Sequence, residues 1–212
     1  MAPDPASISR GDVGFRYSNY DAPLWVRENT DEGRWHRPGD GPTQYLALAP
    51  SGAWAELIRH EGLTTEEETA EVRTLLFISR LTETGIADYR SFERAGLASF
   101  DPAALVDEDY SACQVEGARL RREGFGGVLA PSAALPGVLN LTLFGARYPV
   151  RWDARPRLPS AVPAATAARG APPRGVVAQV RHRRAEHSLL RQYEIMERAE
   201  GVQARARREQ EE

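Results

Sequence analysis

Gly33-Arg34-Trp35-His36-Arg37-Pro38-Gly39, then Gln44-Tyr45-Leu46-Ala47-Leu48-Ala49, then Pro50-Ser51-Gly52-Ala53-Trp54-Ala55-Glu56, is the stretch around which the rest of the chain is read. A basic, aromatic loop feeds a short apolar strand over residues 44–49, which turns into a helix. Ser51 is the expected N-cap, the helix runs over about residues 52–61, and Gly62 stops it. Trp54, Leu57 and Ile58 set its buried stripe. Glu56 lies about 160° from Trp54 at roughly 100° per residue, so periodicity alone points it at solvent. Two arginines, a tyrosine and a glutamate within two dozen positions make a grip for a phosphorylated, ribose-bearing ligand, since guanidinium forks match phosphate oxygens.

Upstream, Val13-Gly14-Phe15-Arg16-Tyr17-Ser18 alternates as a strand, with Phe15 and Tyr17 on one side and Arg16 on the other. On that pattern alone Arg16 is a solvent-facing strand arginine. Residues 19–43 form a long loop rich in Asn, Asp, Gly and Pro, of a length that in compact domains often carries function. Downstream, residues 72–79 read as a central strand and residues 82–108 as turns and short helices. The spacing of Tyr110, Cys113, Gly117 and Leu120 predicts a helix over 109–123, with Ser111 and Gln114 as its capping box. Residues 126–130 make a further strand, broken at Pro131-Ser132-Ala133. Residues 138–144 make another, with Leu139, Leu141 and Leu143 facing one way and Asn140, Thr142 and Phe144 the other. Ser132 is either a turn residue or a hydroxyl aimed into a cleft.

Composition narrows the chemistry. All 27 basic residues are arginine, so no lysine can form a Schiff base or serve as a Walker-type phosphate ligand. Cys113 is the single cysteine and reads as a packing residue, which excludes an internal disulfide. The four histidines are scattered, and no metal site is expected. Residues 1–150 carry 14 Arg against 22 acids, and residues 151–212 carry 13 Arg against 8. The acidic body argues against direct nucleic-acid binding. No apolar run reaches the roughly 18 to 20 residues of a membrane span, and the N-terminus lacks a signal-like pattern, so a cytoplasmic protein is expected. The expected organisation is a disordered segment 1–12, a domain 13–152, a Pro/Ala/Arg-rich linker 153–175 and a helical tail 176–212.

Taken in order, Phe15-Arg16-Tyr17, Gly33-Arg34-Trp35, Tyr45-Leu46-Ala47, Ala55-Glu56, Cys113-Gln114, Gly127-Val128-Leu129-Ala130-Pro131-Ser132 and Asn140-Leu141-Thr142-Leu143-Phe144 resemble the RES domain over residues 13–150. The resemblance implies an α+β fold: an ADP-ribosyltransferase-like mixed β core with flanking helices, here followed by the linker and a C-terminal helix. It implies a bacterial toxin of a toxin–antitoxin system that degrades NAD+ by phosphorolysis or hydrolysis, paired with an Xre-type helix-turn-helix antitoxin. NAD+ is then a substrate, with no cofactor, and inorganic phosphate or water attacks. Carried over residue by residue, Arg34, Glu56 and Ser132 would be catalytic. Arg16 and Arg34 would hold phosphate groups, Tyr45 would stack on nicotinamide with Tyr17 beside it, Glu56 would hold the ribose, and Asn140 would contact substrate. Two other readings stay open: ADP-ribosyl transfer to a protein, and a non-catalytic interaction module whose arginine-rich tail recruits a partner. Both a monomer and a homo-oligomer remain compatible with the sequence.

Overall fold

The structure is a computed structural model describing residues 2–9, 11–158 and 160–211. Its strands are β1 (Pro5–Ile8), β2 (Val13–Ser18), β3 (Thr43–Ala47), β4 (Thr74–Arg80), β5 (Glu83–Asp88), β6 (Gly127–Pro131), β7 (Leu139–Phe144), β8 (Tyr148–Arg151) and β9 (Ala161–Gly170). The helices are α1 (Pro50–Glu61), α2 (Glu66–Glu71), α3 (Phe92–Leu97), α4 (Ser111–Arg122) and α5 (Ser188–Glu211), with 3-10 turns over Pro102–Leu105 and Val177–Gln179. The strands form one mixed sheet in the order β1-β5-β6-β7-β3-β2-β4-β9-β8. The β5–β6 and β8–β9 pairs are parallel and the others antiparallel. This is the expected α+β class.

One seam matters for the site. β2 and β3 share a single register pair, Phe15 with Ala47, while β2 runs fully paired along β4 and β3 along β7. The two halves of the sheet therefore separate beyond Phe15, and α1 packs over the opening. Its face of Ala53, Trp54, Ala55, Leu57 and Ile58 joins Ala47, Leu76, Ala134 and Leu135 in one apolar cluster. The sheet also folds onto itself: Ala6, Ile8, Leu46, Ile86, Leu129, Leu141, Leu143 and Val162, from six strands, share a second cluster. A third, under α4, centres on Trp35, Tyr89, Phe92, Leu105 and Leu120. Gly117 is what lets α4 approach that closely, because a Cβ there would stand 2.5 Å from the Trp35 carbonyl oxygen.

Several expectations need correction. Residues 5–8 are not disordered but pair with β5. Residues 161–170 are not linker but strand β9, bonded to β4 on one side and β8 on the other. Both segments lack a run of strong strand formers. They extend because β5 and β4 offer open edges whose N–H and C=O groups need partners. α1 begins earlier than expected, with Ala49 at the N-cap and Pro50 in the first turn, where its missing N–H costs nothing. α4 has no capping box: Asp109 takes the N–H and hydroxyl of Ser111. Gln114 instead reaches the loop of residues 32–37, donating to Gly33 O and accepting from Arg37 Nε. Among the described residues no helix is long and apolar enough to cross a membrane.

Candidate active site

The site is built where α1 crosses the start of β7. Gly52 faces that strand so closely that a Cβ would meet Val138 at 2.7 Å and Ala47 at 3.0 Å. Glu56 sits one turn further along the same helical face, since residues four apart are neighbours on a helix. The side opposite Trp54 is thus the corner between β6 and β7 rather than solvent, and Glu56 is half-buried there. Its Oε1 accepts from Ser132 Oγ at 2.8 Å and from Asn140 Nδ2 at 2.6 Å. Both donors fall on one carboxylate oxygen, which leaves Oε2 free of them.

Ser132 is fully buried and tied on every side. Its Oγ also accepts from the Ala134 and Leu135 N–H groups at 3.1 Å each, closing a turn, and its N–H donates to Val138 O. His187 Nε2–H donates to the Ser132 carbonyl at 3.1 Å. A hydroxyl whose proton goes to a carboxylate and whose lone pairs take two amides is a positioning group for Glu56. Asn140 lies opposite Ala130 and Ala47 in the sheet, on the face toward α1. Its Oδ1 is buried without a partner, so the amide is held by the bond it gives to Glu56.

Tyr17 completes this group from β2. Burial raises its phenol to about 12, and the Glu56 charge pushes in the same direction. Arg16 is not on a solvent face. Its guanidinium lies 3.7 Å over the ring of Trp25, whose backbone N–H and carbonyl are clamped by the Gln44 amide, and Arg16 Nη1 is buried with no hydrogen-bond partner. Burial pulls its pKa well below the usual arginine value, with the neighbouring phenols of Tyr17 and Tyr45 opposing. A buried cation with an unmet donor asks for an anionic acceptor.

Tyr45 anchors the loop that precedes its strand. Its hydroxyl accepts from the Trp35 N–H at 3.0 Å and pairs with His36 Nδ1 at 2.8 Å, which folds the 33–37 loop back on β3. Gly33 permits this, because a Cβ there would stand 2.6 Å from the same hydroxyl. Arg34 is bonded to the 104–107 segment rather than to Glu56. Its Nη1 and Nη2 donate to Ala104 O and Asp107 O, and its guanidinium covers Tyr110 at 4.6 Å. The structure thus joins Glu56, Ser132 and Asn140 directly, sets Tyr17 beside them, and bonds Arg34 to the 104–107 segment. Cys113 is buried with its thiol pushed up to about 11, as suits a packing residue. Surface hollows of about 360 and 290 Å³ are lined by other residues, such as Phe100 and Val115 in one and Asp4 and Arg94 in the other.

The RES domain model matches residues 11–175. The chain belongs to the RES domain family. The match takes in β9 and so runs past the boundary at 152 read from the sequence. A Mycobacterium tuberculosis protein named as a probable NAD(+) phosphorylase is 34% identical over 115 residues, 53% of this chain and 53% of that protein. The match spans about half the length of that curated relative. The crystal structure of the M. tuberculosis MbcT–MbcA toxin–antitoxin complex aligns at 21% identity with a TM-score of 0.49, over 65% of this chain and 75% of that one.

The sequence reading missed three groups at this site. Arg59 is one of them, although its position three residues after Glu56 on one helical face was a usable signal. Arg181 and His187 were the others, and no spacing or motif marks them. They arrive on a segment that packs Val176, Val177 and Val180 against α1's cluster and Leu189, Leu190 and Tyr193 against α4's.

Proposed function

We propose that this RES domain cleaves the bond between nicotinamide and ribose in NAD+. The observation that carries the reading is the half-buried Glu56 carboxylate, fixed through one oxygen by Ser132 and Asn140 while the other stays available. As the C–N bond breaks, its electron pair goes to the nicotinamide nitrogen and quenches the ring's positive charge. Positive charge develops on the ribose, as in glycoside cleavage generally. A fixed carboxylate stabilises that charge without reorganising during the reaction. Nicotinamide leaves as a neutral molecule, so the reaction needs no strong general acid, and among these side chains none is placed as one. Inorganic phosphate, or water losing a proton, then bonds to the sugar carbon.

Arg16 supports the reading from the other side of the seam, where its unmet donor suits a phosphate of the dinucleotide. Tyr17 lies between the two charges. Tyr45 acts on this account through the loop it holds. Family membership supports a toxin that depletes NAD+ and an Xre-type antitoxin that restrains it. The test is release of nicotinamide from NAD+ by the purified chain, with and without phosphate. Loss of that release in Glu56→Gln, with the fold intact, is the expected result. Label from NAD+ appearing on a macromolecule while bulk NAD+ persists would favour transfer to a protein, and unchanged NAD+ would leave the interaction-module reading.

A further inference from the structure

Beside the carboxylate site the fold gathers three guanidiniums. Arg59, on α1 one turn after Glu56, is 6% exposed and donates from Nη2 to Glu108 Oε1 at 2.5 Å. Arg181 comes from the segment before α5. Its N–H bonds to Ala134 O, its Nη1 donates to Val106 O at 3.0 Å and Ala133 O at 3.3 Å, and that same Nη1 lies 3.8 Å from Glu108. Arg34 bonds the same 104–107 segment, donating to Ala104 O and Asp107 O. Ala133 and Ala134 directly follow Ser132, so the cluster borders the site already described.

An ordinary structural ion pair does not account for this arrangement. An arginine meets a carboxylate best through the parallel donors of one edge. Glu108 uses only the Nη2 half of that edge on Arg59, and the buried Nε beside it has no partner. A single carboxylate also serves two cations, with a third close by. At Arg181 burial lowers the pKa first and the charge of Arg59 next, with Arg34 adding to it, against Glu108 and Asp107. His187 is lowered in the same way by burial and all three arginines. Glu108 is the loosest member, 35% exposed in an otherwise exposed acidic turn.

We propose that Arg59 and Arg181, with Arg34 alongside, form a phosphate-binding subsite next to Glu56, and that the Glu108 carboxylate occupies it until a phosphate group displaces it. A phosphate has the extra oxygens to take Arg59 Nε as well as Nη2 and to close on Arg181. Its source is either inorganic phosphate or the diphosphate of the dinucleotide. The subsite deepens the NAD+ reading and rests on it only for that choice of source.

The test is calorimetric titration of the full chain with inorganic phosphate and with ADP-ribose, using wild type, Glu108→Gln and Arg181→Gln, each checked by thermal melting. Removing the competing carboxylate should tighten phosphate binding roughly tenfold, and removing one charge-assisted contact should weaken it by a similar factor. In steady-state assays, a KM shift for phosphate alone assigns the subsite to the attacking group, and a shift for NAD+ alone assigns it to the diphosphate. Folded variants that bind both probes as wild type does overturn the proposal, as does absence of binding in wild type and Glu108→Gln alike. A chain that shows the binding shifts yet releases no nicotinamide keeps the subsite and sinks the NAD+ reading.

Discussion

Strand β7 sends Leu139, Leu141 and Leu143 into the folded-over sheet and Asn140, Thr142 and Phe144 toward the helices. The leucine face is apolar throughout, and what it asks of a residue is volume. The other face interrupts its packing with Asn140, whose Oδ1 is buried unpaired. An unpaired buried carbonyl costs stability, and what the residue gives in return is its amide's hold on the Glu56 carboxylate. The contrast separates a surface that only folds from one that folds at some cost and holds a charge in place.

The sharpest way to break that contrast is on the leucine side. Leu141 is fully buried, and Leu141→Ala should cost about 4 kcal/mol of unfolding free energy, the transfer loss plus the cavity left behind. Urea denaturation measures it. The molecules that remain folded should keep the wild-type turnover number for NAD+. A large drop in that number would mean that the two faces are not independent.

On the opposite face the effects should reverse in kind. Glu56→Gln keeps an acceptor for Ser132 and Asn140 but loses the charge, so turnover should fall on the order of 10²–10³ while the melting temperature barely moves. Asn140→Leu should be milder for catalysis, roughly tenfold, because Ser132 still holds the same oxygen. It should leave stability unchanged or raise it, since the unpaired carbonyl goes with the amide. A clearly destabilised Asn140→Leu would show that the asparagine is there for packing after all.

Most of this contrast could be read from the sequence. The alternation of β7, the strand–turn–helix from Gln44 to Glu61, the α4 spacing and the Pro131-Ser132 corner each follow from period and turn chemistry within a few residues. The direction of Glu56 could not. Helical period gives an angle from Trp54, but not what stands at that angle, and here it is the β6–β7 corner brought in by a connection 76 residues later. β1 and β9 were hidden for a related reason, because an open neighbouring edge rather than their own side chains makes them strands. Arg34 was found by motif, but its contacts were not. Its partners Ala104 and Asp107 lie in the stretch 82–108, which has little periodicity to read.

The smallest expected effect concerns His187, which bonds the Ser132 carbonyl from the C-terminal segment. Because the Ser132 carbonyl can only accept, the proton sits on Nε2, and Nδ1 then accepts from the Leu189 N–H at 3.3 Å in the first turn of α5. Burial lowers the pKa of this imidazole, and Arg181, Arg59 and Arg34 lower it further, against the opposing pull of the Ser132 bond. In the unfolded chain the same group takes a proton near pH 6.5. Its contribution is therefore fully present above that pH and is lost as the pH falls toward the lower folded value, because the unfolded state binds the proton first. Protonation at Nδ1 would also remove the acceptor for Leu189. His36, buried and lowered for the same first reason, adds to the slope in the same direction. Melting temperatures measured between pH 7 and pH 5 should fall in wild type and fall less steeply in His187→Gln, whose amide can still donate to Ser132. Equal slopes in the two proteins would mean that the Ser132 corner holds its shape without regard to the charge on His187, and would detach the C-terminal segment from the account of the site.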